Sequence, residues 1–509
     1  MMAEYILAHD LGTSSHKCTA FDRHGRIAAS ASLTYPTHIG HGGEVEQHPS
    51  DWWHAVAVTT RKVLDKITPT SIAAISFSGH MMGGCPIGKD GTPLRASLIH
   101  ADTRSTVLER YVFERVDKDL FYSATGNRID SHYPLLKMLW LKENEPEIYR
   151  STAYFLQAKD YLAYRMTGQL GVTDFSDASL TGIYNVNEAA WDEAILRELG
   201  LEPELLPEIL PSASIIGPVS QAAAHETGLL AGTPVVLGGG DGACAAVGAG
   251  ALEAGDGYIN MGTTAWVSKA VRQPLLDEQQ RVFTMCGQDA DSYHALGTMQ
   301  TAGAAYEWAV KVIGGGISYA QAEAEASRVP WGSEAIIFLP YLLGERSPIW
   351  NPHARGLFFG LDAGHTRGHL LRAVMEGIGY HLRSIADCLD PDRKVKAYQV
   401  IGGAARSQVM QHILSTVLET PIRMNEHTVE ASSLGAAMMG GVAVGWFADY
   451  NEAKLHMLSP GVSCQPDKRG SGVMRKGYLL QQRLYEKLIS EYDVLAELKQ
   501  EWNKQLSQG

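Results

Sequence analysis

The sequence predicts an α/β fold of two similar domains, and three observations support this prediction. The chain has 509 residues, more than the roughly 250–300 residues at which one hydrophobic core stops growing. Short apolar stretches typical of β-strands alternate with segments of helical periodicity. The tract DLGTSS at residues 10–15 returns about half a chain later as NMGTTA at residues 260–265. This repeat indicates an internal duplication, and we predict one domain over residues 1–250 and a second over residues 251–509.

The first half opens on a strand, a tight turn and a second strand. The turn, at residues 10–15, is rich in Gly, Ser and Thr. Later strand patterns end in the glycine-rich tracts GHMMGG at residues 79–84 and GGGDG at residues 238–242, and residues 105–211 are mostly helical in pattern. The predicted elements are strands at residues 5–8, 17–21, 73–77 and 234–237 and from residue 25, and helices at residues 51–67, 134–144 and 191–199.

The second half repeats the opening pattern. A strand at residues 257–260 precedes a turn at 262–264 and a strand at 265–268. Near residue 400, another short strand runs into GGAARS at residues 402–407. Apolar residues within 478–502 have the spacing of one buried helix face. We interpret this last segment as a packing helix.

Composition and charge argue against several classes of protein. The net charge of −13 disfavours nucleic acid as a partner, because its phosphates would be repelled. The six cysteines are scattered without a CxxC pair, which predicts neither a disulfide framework nor a zinc site. The N-terminal residues do not resemble a secretion signal, and no apolar run reaches transmembrane length. We therefore expect a cytoplasmic protein without a membrane partner, and a homodimer remains open.

The two repeated turns have the chemistry of a phosphate site. Such hairpins expose backbone N–H groups and hydroxyls, and small side chains let phosphate oxygens approach closely. One turn alone would be an ordinary hairpin, but two at corresponding positions could hold a polyphosphate from both sides. No G-x-x-x-x-G-K-[ST] loop is present. The candidate phosphate-binding residues are Gly12, Thr13, Ser14, Ser15, Gly262, Thr263 and Thr264.

Two aspartates stand at the ends of predicted strands. Asp10 could hold Mg²⁺ through water, because Mg²⁺ dehydrates reluctantly. Asp241 lies among glycines, so neighbouring side chains shield its carboxylate poorly. An aspartate beside glycine is commonly a simple turn residue. Asp241, however, comes shortly before the second turn, where two domains should meet, and a phosphoryl-transfer enzyme needs a group that accepts the proton of the acceptor hydroxyl.

Several tracts resemble known signatures. Gly356–Leu361 and His369–Glu376 match the C-terminal signature of the FGGY family of carbohydrate kinases at each defined position, and Pro134, Lys137 and Trp140 approximate the family's other signature. The resemblance runs through nearly the whole chain. It implies two actin-like, or ribonuclease H-like, α/β domains with a ligand cleft between them. It also implies an ATP- and Mg²⁺-dependent sugar kinase.

The resemblance implies roles for individual positions. Asp241 would be the catalytic base, and Asp10 with the two turns would hold the phosphates and, through water, Mg²⁺. Adenine would lie against the turn that follows the strand near residue 400. The residues implied for the adenosine pocket are Gly303, Gly402, Gly403, Ala404 and Ser407, and those implied near the sugar are Met81, Met82, His100 and Asp102.

The acceptor is the least constrained part of this interpretation. Within the family the chain is most similar to the xylulokinase branch, which implies phosphorylation of D-xylulose on its terminal primary hydroxyl. That branch typically has Gln-Met-His-Gly where this chain has His80–Gly83, and tryptophan where it has His100. The alternatives are another ketose, a polyol such as glycerol, a sugar acid, or a non-catalytic actin-fold ATP-binding protein. The last alternative would have no chemical need for Asp241.

Overall fold

The structure, a computed structural model, describes residues 4–506 and divides into two compact units. Unit 1 consists of the chain up to Ala254 with Ala270–Ala295 and Glu430–Ser459. Unit 2 consists of Gly255–Lys269, Leu296–Val429 and the chain from Pro460. The sequence-based division at residue 250 therefore differs from these units in two later segments, which pack with unit 1.

The first half of the chain supplies the main sheet of unit 1 and most of its helices. Its strands are β1 Tyr5–Leu11, β2 Ser15–Phe21, β3 Ile27–Thr34, β4 His38–Ile39, β5 Val45–Gln47, β6 Ile72–Gly79, β7 Cys85–Gly88, β8 Ser97–Leu98, β9 Thr152–Leu156, β10 Val172–Asp174, β11 Tyr184–Asn185, β12 Ala190–Trp191, β13 Glu208–Leu210, β14 Ile215–Pro218 and β15 Pro234–Gly240. Its helices are α1 Pro49–Leu64, α2 Glu109–Phe113, α3 Lys118–Thr125, α4 Pro134–Asn144, α5 Pro146–Ser151, α6 Ala158–Thr167, α7 Phe175–Ser179, α8 Glu193–Leu199, α9 Gln221–Thr227 and α10 Asp241–Ala249.

The second half supplies unit 2 and returns twice to unit 1. Its strands are β16 Gly257–Met261, β17 Ala265–Val271, β18 Phe283–Cys286, β19 Tyr293–Met299, β20 Ile337–Leu339, β21 Leu357–Phe359, β22 Tyr398–Ile401, β23 Ile422–Asn425 and β24 Pro460–Cys464. Its helices are α11 Gly303–Val312, α12 Tyr319–Ser327, α13 Arg367–Leu389, α14 Gln408–Leu418, α15 Ala431–Ala443, α16 Tyr450–Met457 and α17 Lys468–Leu506.

The central sheet of unit 1 has the order β14-β15-β6-β1-β2-β3. Strands β1, β2 and β3 form an antiparallel meander, β1 pairs in parallel with β6 and β6 with β15, and β14 is antiparallel to β15. Helices α1, α6 and α9 cover one face, where Trp52 and Phe77 are buried. Helices α10, α15 and α16 cover the other face, where Ile6 and Phe447 are buried.

The same strand pairing recurs in unit 2. Strand β16 pairs antiparallel with β17 and parallel with β22, β22 pairs parallel with β23, and β23 pairs antiparallel with β24. Each step matches its counterpart from β1 to β14 in unit 1. The internal duplication that the repeated turns predicted is therefore confirmed in the topology of the two sheets.

Most predicted elements are present with shifted ends. The helix expected at residues 51–67 is α1, which ends at Leu64, and the helix expected at 478–502 is part of α17, which begins ten residues earlier at Lys468. The strand expected at 234–237 continues through three glycines to Gly240, so that the next residue, Asp241, begins α10.

The structure also bears on the predictions about disulfides and membrane spans. All six cysteines are free thiols. Within residues 4–506, no helix combines the length and the apolarity that a bilayer crossing requires.

Helices α10 and α15 of unit 1 approach each other with almost no side chain between them. A Cβ atom at Gly435 would lie 1.9 Å from the carbonyl oxygen of Cys244, and one at Gly248 would lie 1.9 Å from that of Ala431. On its other side α15 lies on the sheet, where a Cβ at Gly440 would meet Ile6 at 2.8 Å. These glycines explain why the segment around α15 packs with unit 1.

We predict that Gly435→Ala destabilises the protein by about 1–3 kcal/mol, because the added methyl group forces the two helix backbones apart. The measurement is the midpoint of thermal unfolding. Gly472→Ala is the matched control, since a Cβ there meets no atom within 4 Å on the exposed face of α17, and it should stabilise by about 0.5–1 kcal/mol. Equal midpoints for the two variants would contradict the close contact.

Candidate active site

The first predicted turn lies between β1 and β2. Gly12 N–H donates to the carbonyl of Ser15 at 3.0 Å, which closes the turn. The turn is held from inside the protein, because the Tyr35 hydroxyl donates to the Gly12 carbonyl and Gln47 Nε2 donates to the Thr13 carbonyl at 2.6 Å. Thr13 and Ser14 are exposed, and Gly12 and Ser15 are half-buried. The turn thus presents N–H groups and hydroxyls outward.

The second turn, between β16 and β17, has the same closure. Gly262 N–H donates to the Thr264 carbonyl at 2.9 Å, and Gly262 and Thr263 are exposed. The start of α11 lies directly on this turn, since Gly303 N–H donates to the Gly262 carbonyl at 3.0 Å. A Cβ at Gly303 would lie 2.4 Å from that carbonyl oxygen. Only glycine therefore allows this approach.

Asp10 is at the end of β1, half-buried among polar groups of unit 1. The Ser433 hydroxyl donates to Asp10 Oδ2 at 3.4 Å. Burial raises the pKa of the Asp10 carboxyl, against the opposing effects of hydrogen bonds from Ser78 and Ser433 and of the positive charge of Lys17. The carboxylate is therefore poorly compensated by the protein and would be stabilised by a bound cation.

Lys17 is a candidate functional residue that the sequence analysis missed. It lies on β2 directly opposite Asp10 in the β1–β2 pair. Its Nζ lies 3.6 Å from Glu430 Oε1, and both side chains remain partly exposed. The positive charge beside the first turn could contact a phosphate. The hairpin register could have indicated it, because a seven-residue separation across a tight turn brings the two positions together.

Asp241 begins α10 and is half-buried. Burial, and secondarily the negative charge of Asp10, raise the pKa of the Asp241 carboxyl to about 7, while the Gly242 N–H acts in the opposite direction. Gly79 of β6 pairs with Leu11 on one side and with Gly240 on the other, so the two aspartates lie at the same edge of the sheet. The structure therefore brings together the two aspartates that the sequence analysis singled out, and a carboxyl with this pKa is suited to accept a proton at neutral pH.

The glycines before Asp241 are required by the path of the chain. Gly238 has φ +71°, and a Cβ there would lie 1.8 Å from the Phe77 carbonyl oxygen. A Cβ at Gly240 would lie 2.5 Å from the Met81 sulfur. Strand β15 can therefore press against β6 and Met81 and still end in Asp241.

Unit 2 contains a cavity of about 480 Å³ beside the second turn. Six of the predicted nucleotide-site residues line it together with side chains that the sequence analysis did not identify. The predicted residues are Gly262, Thr263, Gly303, Gly403, Ala404 and Ser407, and the unpredicted ones include Tyr306, Tyr319, Glu323 and Met410. Because the lining of this cavity combines exposed backbone with aromatic and apolar side chains, it could take a nucleotide.

Tyr306 and Tyr319 form the aromatic part of the cavity, with ring centroids 6.1 Å apart. The Tyr306 hydroxyl is buried and has no hydrogen-bond partner in the structure, which leaves it available to a ligand. Ser407 Oγ donates to Glu323 Oε1 at 2.8 Å and accepts from Met410 N–H as the N-cap of α14. No local motif marks Tyr306 or Tyr319 in the sequence.

Two of the nucleotide-site residues predicted within unit 2 do not line the cavity. Gly402 has φ +89°, and a Cβ there would lie 2.6 Å from the Met261 carbonyl oxygen, so this glycine is needed for the path of the chain. Thr264 lies behind the second turn, which its carbonyl closes by accepting from Gly262.

The predicted sugar region of unit 1 contains a histidine in an unusual state. His80 is 2 % exposed, packs edge-on against Trp52 and lies 6.1 Å from the His100 ring. Neither ring nitrogen has a hydrogen-bond partner, and burial lowers the pKa of His80 to about 4. Met82 is half-buried with φ 63°, whereas Met81 packs inward. His80 is thus a neutral donor and acceptor available to a polar ligand.

Asp102, also predicted near the sugar, already has partners. Its carboxylate is fully buried and accepts from the Arg104 guanidinium at 2.7 Å and from Val45 N–H at 2.8 Å. Arg104 in turn pairs with Glu46 and lies over the Trp140 ring. The structure gives Asp102 an ion pair rather than an unoccupied carboxylate.

The oxygen-rich surroundings of Asp10 fit a hydrated Mg²⁺ ion. Carboxylate and phosphate oxygens are the ligands that Mg²⁺ prefers, and it usually keeps several waters. Among residues 4–506, no group of three or more His, Cys, Asp or Glu side chains is arranged to hold a metal ion. The residues therefore fit an ion held jointly by Asp10 and the phosphates of a nucleotide.

Comparisons with known proteins agree with this geometry. Residues 5–248 match the model of the N-terminal domain of the FGGY family of carbohydrate kinases, and residues 257–444 match that of its C-terminal domain. A xylulose kinase from Bacillus subtilis is 30 % identical over 466 residues, which is 91 % of this chain and 93 % of the relative. A gluconokinase from the same organism is 30 % identical over 465 residues, covering 87 % of this chain and 88 % of the relative.

A solved structure agrees with the fold. The ligand-bound xylulose kinase from Lactobacillus acidophilus superimposes with a TM-score of 0.92 at 28 % identity, covering 97 % of this chain and all of that chain.

We predict that Gly403→Leu raises the Kd for ATP at least about 10-fold, equivalent to about 1.4 kcal/mol. A Cβ at Gly403 meets no atom within 4 Å, so a leucine there would project into the cavity without a clash. The measurement is isothermal titration calorimetry, with Gly472→Leu on α17 as an equally open control. An unchanged Kd in Gly403→Leu would mean that the nucleotide does not occupy this cavity.

Proposed function

This chain belongs to the FGGY family of carbohydrate kinases and is an ATP-dependent sugar kinase of two actin-like domains, and we propose that it transfers the γ-phosphoryl group of ATP to D-xylulose. The acceptor atom is the terminal primary hydroxyl, and the products are D-xylulose 5-phosphate and ADP. The family assignment supports the reaction class. The acceptor and the roles of individual residues are argued below.

The observation that carries the proposal is the state of Asp241. Its pKa is raised to about 7 by burial and by Asp10, so it can take a proton at neutral pH and still be ionised before the reaction. A general base works best when its pKa lies near the working pH. In this mechanism Asp241 accepts the hydroxyl proton as the bond between the sugar oxygen and the γ-phosphorus forms and the bond to ADP breaks.

The remaining groups hold the phosphates and balance their charge. The Gly12 and Gly262 N–H groups close the two turns, and the remaining N–H groups and the hydroxyls of these turns bind phosphate oxygens. Lys17 adds a positive charge beside the first turn. Asp10 would hold Mg²⁺ through water, and the ion would supply positive charge against the phosphates. The adenosine lies in the cavity of unit 2, between Tyr306 and Gly403.

Charge near the acceptor favours a neutral sugar over a sugar acid. His80 is neutral at pH 7 because burial lowers its pKa to about 4. Lys137, which packs against Gly84, donates to the carbonyls of Ser131 and His132, and burial lowers its pKa to about 7. Burial thus reduces the positive charge that these two groups offer to a carboxylate. Gluconate is the second candidate, because the gluconokinase relative is as similar as the xylulose kinase.

We predict that Asp241→Asn lowers kcat by about 10²–10⁴-fold, because the amide keeps the shape but cannot accept the proton. The Kd for ATP should stay within about twofold. In the wild-type protein kcat/KM for the sugar should fall below about pH 7, since protonation of Asp241 removes the base, and rise to a plateau above it. A coupled ADP-release assay across pH 5.5–9 measures both effects.

Asp51→Asn is the matched control for this variant, because Asp51 also lies in the first turn of a unit 1 helix but in α1. It should keep the wild-type rate and pH profile. Turnover of Asp241→Asn near the wild-type rate would show that another group accepts the proton.

We predict that Met82→His raises kcat/KM for D-xylulose by about 5–150-fold. A thioether is a weak acceptor and cannot donate, whereas imidazole does both, and an unpaired sugar hydroxyl costs about 1–3 kcal/mol. Met82→Leu keeps the apolar surface and should leave the preference unchanged. The test compares D-xylulose, gluconate and glycerol in both variants. The same preference in Met82→His as in Met82→Leu would mean that this position does not contact the acceptor.

A further inference from the structure

Behind Asp241, unit 1 contains a group of polar residues from which water is excluded. Lys159, Asp174, Ser176 and Ser212 each have no exposed surface. Lys159 Nζ lies 2.9 Å from Asp174 Oδ1 and 3.1 Å from Asp177 Oδ2, and it also pairs with Asp160. One lysine thus faces three carboxyls. A group of this kind is costly to bury, and the proposed reaction does not use it.

The hydrogen bonds of this cluster have a defined direction. Asp174 Oδ2 accepts from the Ser176 hydroxyl at 2.5 Å and from the Ser212 hydroxyl at 2.8 Å. The Ser176 proton is therefore committed to Asp174, which leaves the Ser176 oxygen as an acceptor. That oxygen accepts from the Gly240 N–H at 2.9 Å. The chain of contacts runs from Lys159 through Asp174 and Ser176 to the peptide directly before Asp241.

The segment held in this way has no side chains of its own. Residues 238–240 are all glycine, and glycine has the largest conformational freedom of any residue. The Gly238 N–H donates to the Ser212 carbonyl at 2.9 Å, and a Cβ at Gly239 would lie 3.4 Å from both serine hydroxyl oxygens. The end of β15 is thus held by the two serines in addition to its pairing with β6 and its contact with Met81, and it has no side chains that could add to these interactions.

We propose that Ser176 is a positioning residue for phosphoryl transfer: its hydroxyl, oriented by Asp174 and Lys159, holds the Gly240 peptide and so fixes where the Asp241 carboxylate meets the acceptor hydroxyl. This inference rests on the proposed role of Asp241 as the base. Ser176 itself contacts neither substrate. A displacement of about 1 Å at a reacting group can cost on the order of 100-fold in rate, so the loss should appear in kcat and not in binding.

The chain offers a closely matched control on the same helix. Ser179 also lies in α7, is also fully buried, and its hydroxyl also donates to one oxygen, the Ser176 carbonyl at 2.8 Å, and accepts from one backbone N–H, that of Cys286 at 2.9 Å. Ser176→Ala and Ser179→Ala each lose one donated bond, to the Asp174 carboxylate and to a backbone carbonyl respectively, and one bond accepted from a backbone N–H. Only the first loses the bond to the peptide before Asp241.

The experiment compares the two variants in steady-state kinetics with ATP and D-xylulose or gluconate, and in amide hydrogen exchange. Ser176→Ala should lower kcat about 10- to 100-fold with both KM values within about twofold, and exchange at Gly240 should become faster. Ser179→Ala should keep kcat within about twofold, and exchange at Cys286 should become faster. If Ser176→Ala does not fold, Ser176→Cys tests the same bond, because a thiol of similar size is only a weak acceptor, and it too should lower kcat.

Equal kcat values for the Ser176 and Ser179 variants would overturn this assignment, as would unchanged exchange at Gly240 in Ser176→Ala. Those results leave the proposed function intact. A wild-type protein that phosphorylates no sugar, or an Asp241→Asn variant that turns over normally, would instead overturn the proposed function and the positioning role with it.

Discussion

The contact between α10 and α15, where Gly248 and Gly435 let two helix backbones touch, organises the rest of the unit 1 site. Helix α10 begins at Asp241. The N-terminal end of α15 brings Ser433 to Asp10 and Glu430 to Lys17. The surroundings of both aspartates therefore depend on a helix that follows them in the chain by about 200 residues or more. Any side chain at either glycine would separate the helices and with them these groups.

The low dielectric constant of their surroundings changes the pKa values of these two carboxyls. Burial raises the pKa values of Asp10 and Asp241, and the charge of Asp10 raises that of Asp241 further. Such an arrangement costs stability, because an ionised carboxylate is less well solvated there than in water. A bound cation and a proton-donating hydroxyl would relieve that cost. Sites built for chemistry commonly accept such a loss of stability.

The buried cluster around Lys159 also combines low dielectric surroundings with ionisable groups. Lys159 carries one positive charge among three buried carboxyls. Burial, with the negative charges of Asp160 and Asp174, raises the pKa of Asp177 well above its usual range against the opposing charge of Lys159. Removing one partner of such a cluster leaves an uncompensated buried charge and is strongly destabilising. The cluster can therefore hold Asp174, and through it Ser176, in one orientation. This support adds to the pairing of the glycine-only strand end with β6.

The sequence by itself determined the α/β class, the duplicated architecture, the paired turns and the two aspartates, because each depends on residues within a few positions of one another. Tertiary structure alone decided the surroundings of these groups. Lys17 near Asp10, Tyr306 in the unit 2 cavity and Ser176 beside the Gly240 peptide carry no local motif. The sequence also suggests that Asp102 is a free carboxylate, whereas the structure shows it bound by Arg104 and Val45. Burial determines the pKa values and decides which hydrogen-bonding groups stay unpaired, and it results from contacts between segments that are distant in the chain. A local sequence pattern therefore does not reveal it.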